Sequence, residues 1–187
     1  YNQRFEAYGL DRPSTLDPSI RRTDLIRRRW LDNQTWIGTW SMDWRPSNAH
    51  QFIWGGSAQT YTGDHFGEVI WSEFATVPIR TRWYEGVGEK QDANTYAKWV
   101  GQLTDRLESY VDLQVRVIGY QIGGTDQFRR NLDEDLNWTF FNPKAGLRYR
   151  LSDNTEFYGS FAVANREPVR RDLIDAPANL RPRHETL

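Results

Sequence analysis

Two alternating runs of apolar and polar residues meet at Thr104-Asp105-Arg106. On the far side of that turn Val111, Leu113, Val115 and Val117 are apolar, and Asp112, Gln114 and Arg116 between them are polar. Alternation with a period of two puts the first set on one face of a strand and the second on the other. The same reading holds elsewhere. Trp36, Gly38, Trp40, Met42 and Trp44 oppose Thr35, Thr39, Ser41 and Asp43, and Phe52, Trp54, Gly56 and Ala58 oppose Gln51, Gly55, Ser57 and Gln59. Ala145, Leu147, Tyr149 and Leu151 oppose Lys144, Arg148 and Arg150, and Phe157, Gly159, Phe161 and Val163 oppose Glu156, Tyr158 and Ser160. Helical periodicity is weak throughout.

The connections are unequal. Short polar turns fall at Arg45–His50, Thr104–Arg106 and Ser152–Asn154, while long polar stretches separate the hairpins at their other ends. This predicts six strands, at Thr35–Trp44, Gln51–Tyr61, Ala93–Leu103, Leu107–Ile122, Lys144–Leu151 and Thr155–Asn165. Tyr1–Tyr8 reads as the end of an earlier one. Residues Thr62–Asp92 are expected to form one excursion, with Leu25–Trp30 and Ile79–Tyr84 as strand extensions, and a polar stretch runs from Ile122 to about Asn142. Strands of this length match the ~9–11 residues that cross a bilayer at a tilt. Aromatic residues at Trp36, Trp44, Tyr149 and Phe157 bracket the apolar faces, as interfacial girdles do. A soluble antiparallel sheet also alternates, but its strands are usually nearer five or six residues. The expectation is therefore an all-β, antiparallel, up-and-down transmembrane β-barrel segment of six or seven strands. Single-chain bacterial barrels begin at eight strands, so residues 1–187 are expected to be one part of a larger barrel, without internal domain boundaries.

Composition supports this picture. Mean hydropathy is −0.78 and only 38% of residues are hydrophobic, yet aromatics reach 14%. Disordered chains are poor in aromatics, so a polar, aromatic-rich chain fits a barrel with a wet interior. The formal net charge of −1 offers no footprint for nucleic acid. The runs Arg21-Arg22 and Arg27-Arg28-Arg29 read as solvated or lumen-facing charge. There is no Cys, which removes thiolate chemistry, and no apolar stretch long enough for a transmembrane helix.

Four strings resemble the barrel portion of TonB-dependent outer-membrane receptors, in particular the group found in Bacteroidetes-type bacteria. They are TDLIRRRWLDNQ (Thr23–Gln34), GDHFGEVIW (Gly63–Trp71), FFNPKAGLRY (Phe140–Tyr149) and FYGSFAVANREPVRRDLID (Phe157–Asp175). Arg183-His184-Glu185-Thr186-Leu187 resembles the lead-in to the family's next strand. The resemblance implies a barrel of about 22 strands closed by a plug, with the plug and the remaining strands absent from this chain. It further implies a Gram-negative outer-membrane location, contact with outer-membrane lipid, and energy relayed by the TonB complex through the missing N-terminal part. The ligand would be scarce: an iron–siderophore by weak preference, with cobalamin or an oligosaccharide as alternatives. On this reading the tight turns are periplasmic and the loops extracellular.

Chemistry-bearing motifs are few. His50, His65 and His184 show no metal-ligand spacing, and Asp133-Glu134-Asp135 lacks the Gly and distal Glu of a calcium loop. No nucleophile elbow, phosphate loop or dinucleotide fingerprint occurs. No enzyme activity, metal or cofactor is expected. Candidate ligand contacts in the outer loops are Asp64, His65, Trp71, Trp83, Trp138 and Arg166, although folding of the loops upon themselves accounts for each of them. Arg166, Glu167 and Arg170-Arg171 read first as a charged network that stabilises the loops. Two rivals are a passive porin-type or fatty-acid channel and a soluble Trp-rich β-sandwich that binds carbohydrate.

Overall fold

The computed structural model describes residues 2–74, 77–169, 172 and 185–186. The chain is all-β in its regular elements. β1 (Gln3–Arg4) leads into a 3₁₀ turn at Phe5–Tyr8 and pairs with β2 (Arg22–Thr23). The main sheet follows: β3 (Leu25–Ser47), β4 (His50–Ser72), β5 (Thr81–Thr104), β6 (Leu107–Gly124), β7 (Glu134–Ser152) and β8 (Thr155–Ala162). These pair in sequence order, a six-stranded antiparallel meander whose outermost strands are β3 and β8. β9 (Asn165–Arg166) continues from β8 and pairs with β10 (Glu185–Thr186).

The six expected strands are all present, and all three turns are tight. Only Asn48-Ala49, Asp105-Arg106 and Asp153-Asn154 lie between the strands they join. Asn, Asp and Gly suit such turns because they accept the backbone conformations a two-residue hairpin imposes. Thr104 caps one of them, accepting the amides of Arg106 and Leu107 through its hydroxyl at 3.3 and 3.1 Å.

At the other end the expectation needs correction. Thr62–Asp92 is mostly strand, with β4 running on to Ser72 and β5 starting at Thr81, so the connection itself spans only residues 73–80. Likewise β6 reaches Gly124 and β7 begins at Glu134, leaving residues 125–133. The extensions at Leu25–Trp30 and within Ile79–Tyr84 are indeed strand, from Leu25 and from Thr81. Tyr1–Tyr8 is not the end of a long outward strand. Its described part is a two-residue strand and a 3₁₀ turn closed by Gly9, whose φ of 60° is readily available to glycine.

The chain forms two compact units. The first comprises Tyr1–Thr35, Tyr61–Lys90 and Tyr120–Leu136, and the second Trp36–Thr60, Gln91–Gly119 and Asn137–Leu187. The first holds a conventional apolar core: Phe5, Tyr8, Leu10, Leu25, Val69 and Trp83 are buried together. The Tyr8 and Trp83 rings meet at 5.0 Å, and Trp83 Nε1 donates to the Gln127 carbonyl at 3.3 Å. Thr23 and Ser72 hydroxyls share a buried hydrogen bond of 3.1 Å, which satisfies groups that would otherwise be costly to bury.

The 125–133 connection is organised by Asp126. One carboxylate oxygen accepts the amides of Phe128 (2.9 Å) and Arg130 (2.8 Å), and the other accepts Arg130 Nε at 2.6 Å. Burial alone would raise this carboxyl, but the bonds from Arg130 and Phe128 outweigh it and hold its pKa below the ordinary carboxylate value. The sign follows directly: the contribution is full above the unfolded pKa of about 3.9 and is lost as pH falls through the lower folded value. Hydrogen-exchange protection of the Phe128 and Arg130 amides should therefore stay constant from neutral pH to about pH 4 and fall only below it, after correction for intrinsic exchange. Protection that falls already near pH 6 would assign the loop's order to another group.

Gly124, the last residue of β6, leads into this connection with φ at +86°, and a Cβ there would collide with the Glu85 carbonyl oxygen. A left-handed backbone and a backbone clash coincide, so Gly124→Ala should cost on the order of 1–3 kcal/mol. The thermal midpoint of the variant checks this, with Gly123→Ala as the mild control because nothing lies within 4 Å of a Cβ at that position.

Candidate functional site

The second unit presents a sheet with two chemically different faces. On one, large apolar side chains point outward with no layer over them among the described residues. Trp54 is 52% exposed, Val117 50%, Leu147 51% and Phe161 68%. Trp40 packs edge-on against Trp54 at 5.2 Å, and Trp44 tilts against Phe52 at 5.3 Å. In the β7–β8 ladder Tyr149 pairs with Phe157 and Ala145 with Phe161, so the apolar positions line up across strands. These are the residues that the alternation assigns to the apolar face. Solvent-facing apolar patches on soluble monomers rarely exceed a few hundred Å².

The other face is polar, and several of its side chains hydrogen-bond to one another. Arg148 donates to Glu156 at 2.7 and 3.0 Å, Asn142 to Gln114 at 3.2 Å, and Asn94 to Ser57 at 2.5 Å. Two tyrosines lie over glycines. A Cβ on Gly55 would run into the Tyr96 hydroxyl, and one on Gly146 into the Tyr110 ring. Glycine admits the ring, and the ring covers backbone that glycine leaves bare, a known way of pinning strand register. Tyr110 is held further by its hydroxyl, 3.2 Å from that of Tyr158.

The strongest electrostatic feature of this face is an arginine between two acids. Arg116 donates through Nε and Nη2 to Asp92 at 3.0 and 2.5 Å, and through Nη1 and Nη2 to Glu167 at 3.0 and 3.1 Å. Both contacts are bidentate, the geometry that makes guanidinium–carboxylate pairs strong and directional. β5 supplies Asp92, β6 supplies Arg116, and Glu167 follows β9. Of the residues expected to form a charged network here, Glu167 bonds Arg116 on β6, and Arg170 and Arg171 lie outside the described residues.

The sequence-derived ligand candidates are distributed as follows. Asp64 and His65 lie on β4 in the first unit, Asp64 exposed and His65 half-buried. Trp71 is exposed on the same strand. Trp83 is on β5 and buried in the core, where it packs the unit together. Trp138 is on β7 and Arg166 on β9, both in the second unit, and Arg166 pairs in register with Glu185. The expectation that Trp71, Trp83 and Trp138 sit in loops is thus incorrect: all three are in strands. Nearby Glu68 is buried and bonded to Arg28 at 2.7 Å, so it helps fold this region. His184 lies outside the described residues. Among the described residues, no group of three or more His, Asp and Glu is placed to hold a metal ion.

Sequence reasoning missed Arg116–Asp92–Glu167 as a unit. The partners are 24 and 51 residues apart, and no local motif joins them. The available signal was one of placement: Arg116 on the polar face beside strands carrying acids.

No protein-family model matches the chain, and no curated protein matches it significantly.

Proposed function

We propose that this chain is part of the wall of an outer-membrane β-barrel, and that the protein it serves is a TonB-dependent receptor that imports a scarce ligand. The observation that carries the membrane reading is the exposed apolar face of the second unit, backed by a hydrogen-bonded polar face and joined at one end by two-residue turns. A soluble sandwich would cover Trp54, Leu147 and Phe161 with a second sheet; here they face outward. About ten strand residues at ~3.3 Å each, tilted by ~45°, rise about 23 Å, close to the ~25 Å apolar band of such barrels.

Further support comes from the edges. An unpaired strand edge in lipid would leave amides and carbonyls unsatisfied, and the main sheet ends at β3 and β8. In the proposed protein neighbouring strands complete both edges, and the β9–β10 pairing is where the next strand of the meander would begin. The receptor reading rests on the four strings quoted above, which fall in β2–β3, β4, β7 and the segment from β8 onward. It implies uptake of an iron–siderophore by preference, with cobalamin or an oligosaccharide as alternatives, driven through TonB.

Two experiments test the two levels. Extraction that requires detergent, with co-fractionation in outer membranes, is expected; a monodisperse detergent-free monomer would remove the membrane reading. For the receptor level, the coding region upstream should specify a plug preceded by a short TonB-coupling motif. A barrel with neither would be a passive channel.

A further inference from the structure

We infer that the first unit carries a binding site for a multiply charged oxyanion, formed where β1 and β2 pair. A cavity of about 950 Å³ opens there, and Arg4, Arg12, Arg21 and Arg22 line it together with Glu6 and Asp11. Four guanidinium groups against two carboxylates leave two positive charges in excess.

The arrangement of the arginines carries the argument. Arg4 and Arg22 are direct partners in the antiparallel register of β1 and β2. Like charges placed opposite each other destabilise a sheet pair, so this pairing is unfavourable by itself. Arg21 lies beside them in sequence. Among the described residues no ion pair or side-chain hydrogen bond engages Arg4, Arg21 or Arg22. This distinguishes them from Arg28, Arg45, Arg116, Arg130 and Arg148, each of which holds a carboxylate. The neighbouring Asp17 accepts the amide and hydroxyl of Ser19 through one carboxylate oxygen, both at 2.8 Å, and forms no ion pair with Arg4, Arg21 or Arg22 among the described residues.

The walls are organised. Arg12 donates to the Leu16 carbonyl at 2.6 Å, which fixes its side chain across the loop. Phe5 and Leu10 line the cavity and are rooted in the buried core, so the arginines stand on a packed base.

Guanidinium is the side chain best matched to phosphate and carboxylate oxygens, because its planar fork binds two of them at once. The ligand class that fits is a small molecule with two or more negative charges on oxygen, bridging Arg4 and Arg22 and relieving their repulsion. A volume near 950 Å³ lies within the range of small-molecule sites. The inference does not depend on the membrane reading, since every residue in it belongs to the first unit.

Isothermal titration of the full chain with inorganic pyrophosphate, and separately with citrate, tests the site. Saturable binding of at least one probe is expected. Arg4→Gln together with Arg22→Gln should weaken it tenfold or more, and Arg21→Gln alone should weaken it less. Arg45→Gln, which removes a positive charge from the second unit, should leave it unchanged. A second readout separates binding from a structural role: without ligand, Arg4→Gln should leave the thermal midpoint unchanged or raise it, because a repulsion is removed. Absence of saturable binding by both probes would overturn the inference. So would equal weakening by Arg45→Gln, or a fall in the ligand-free midpoint on Arg4→Gln.

Discussion

Arginine in place of Val115 is expected to block membrane insertion, whereas arginine in place of Gln114, one residue away, is expected to be tolerated. Val115 is exposed on the apolar face of β6 between Leu113 and Val117. If that face meets lipid, the substitution buries a guanidinium in hydrocarbon, at about 2–4 kcal/mol near the bilayer midplane and less towards either interface. Gln114 lies on the opposite face, where it accepts a hydrogen bond from Asn142 at 3.2 Å. Loss of that bond costs only about 1 kcal/mol, and the new charge stays in a polar, hydrated setting. The ratio of folded, outer-membrane-inserted protein for the two variants is the readout. Equal yields would mean that the two faces do not differ in solvent, and the membrane assignment would fail with them.

The second large effect is expected at Arg116. Removing one partner of a buried ion pair costs about 3–5 kcal/mol because the remaining charge is stranded. Here Arg116, Asp92 and Glu167 retain 24%, 12% and 17% side-chain exposure, so water takes up part of that penalty and about 2–3 kcal/mol is the better expectation for Arg116→Met. The variant should lower the thermal midpoint and speed proteolysis near Glu167. Combining it with Asp92→Asn and Glu167→Gln should recover much of the loss, because neutral partners no longer repel. A triple variant as unstable as Arg116→Met alone would show that the guanidinium acts through packing and not through charge.

What could be read from the chain beforehand follows from where its periodicity has a physical cause. Between Trp36 and Thr60, and again between Val111 and Val117, large apolar side chains keep to one face and polar ones to the other, so both strands and faces are legible. The turns at Asn48-Ala49, Asp105-Arg106 and Asp153-Asn154 announce themselves by residue type. Beyond Tyr61 in β4, Thr62, Asp64 and Glu68 sit in strand, and the core that Val69 enters is assembled from residues far away in the sequence. Either face can then be polar, the alternation disappears, and strand reads as loop.

Trp83 illustrates the same limit from the other side. Its burial depends on Phe5, Tyr8 and Leu10, some seventy residues earlier in the sequence, and nothing near Trp83 signals that packing. Arg116 was legible as a charge on the polar face, but not as the hub between Asp92 and Glu167. The four arginines around β1 and β2 were visible only as a basic run at Arg21-Arg22; their convergence with Arg4 and Arg12 depends on the β1–β2 pairing. Longer extensions also change what the loop end can be. It is built on strands reaching Ser72 and Gly124 and capped by connections of residues 73–80 and 125–133, a firmer platform than two long irregular loops would give.

The most direct test of the membrane account uses the absence of cysteine from the chain. Single cysteines placed in turn at each position from 111 to 117 on β6 can be spin-labelled without a background, and their accessibility to oxygen and to a water-soluble nickel chelate measured in the membrane-inserted protein. The account predicts a period of two: oxygen-rich and chelate-poor at 113, 115 and 117, and the reverse at 112, 114 and 116. Uniform chelate accessibility at all seven positions, or an oxygen maximum on the even positions, would contradict it.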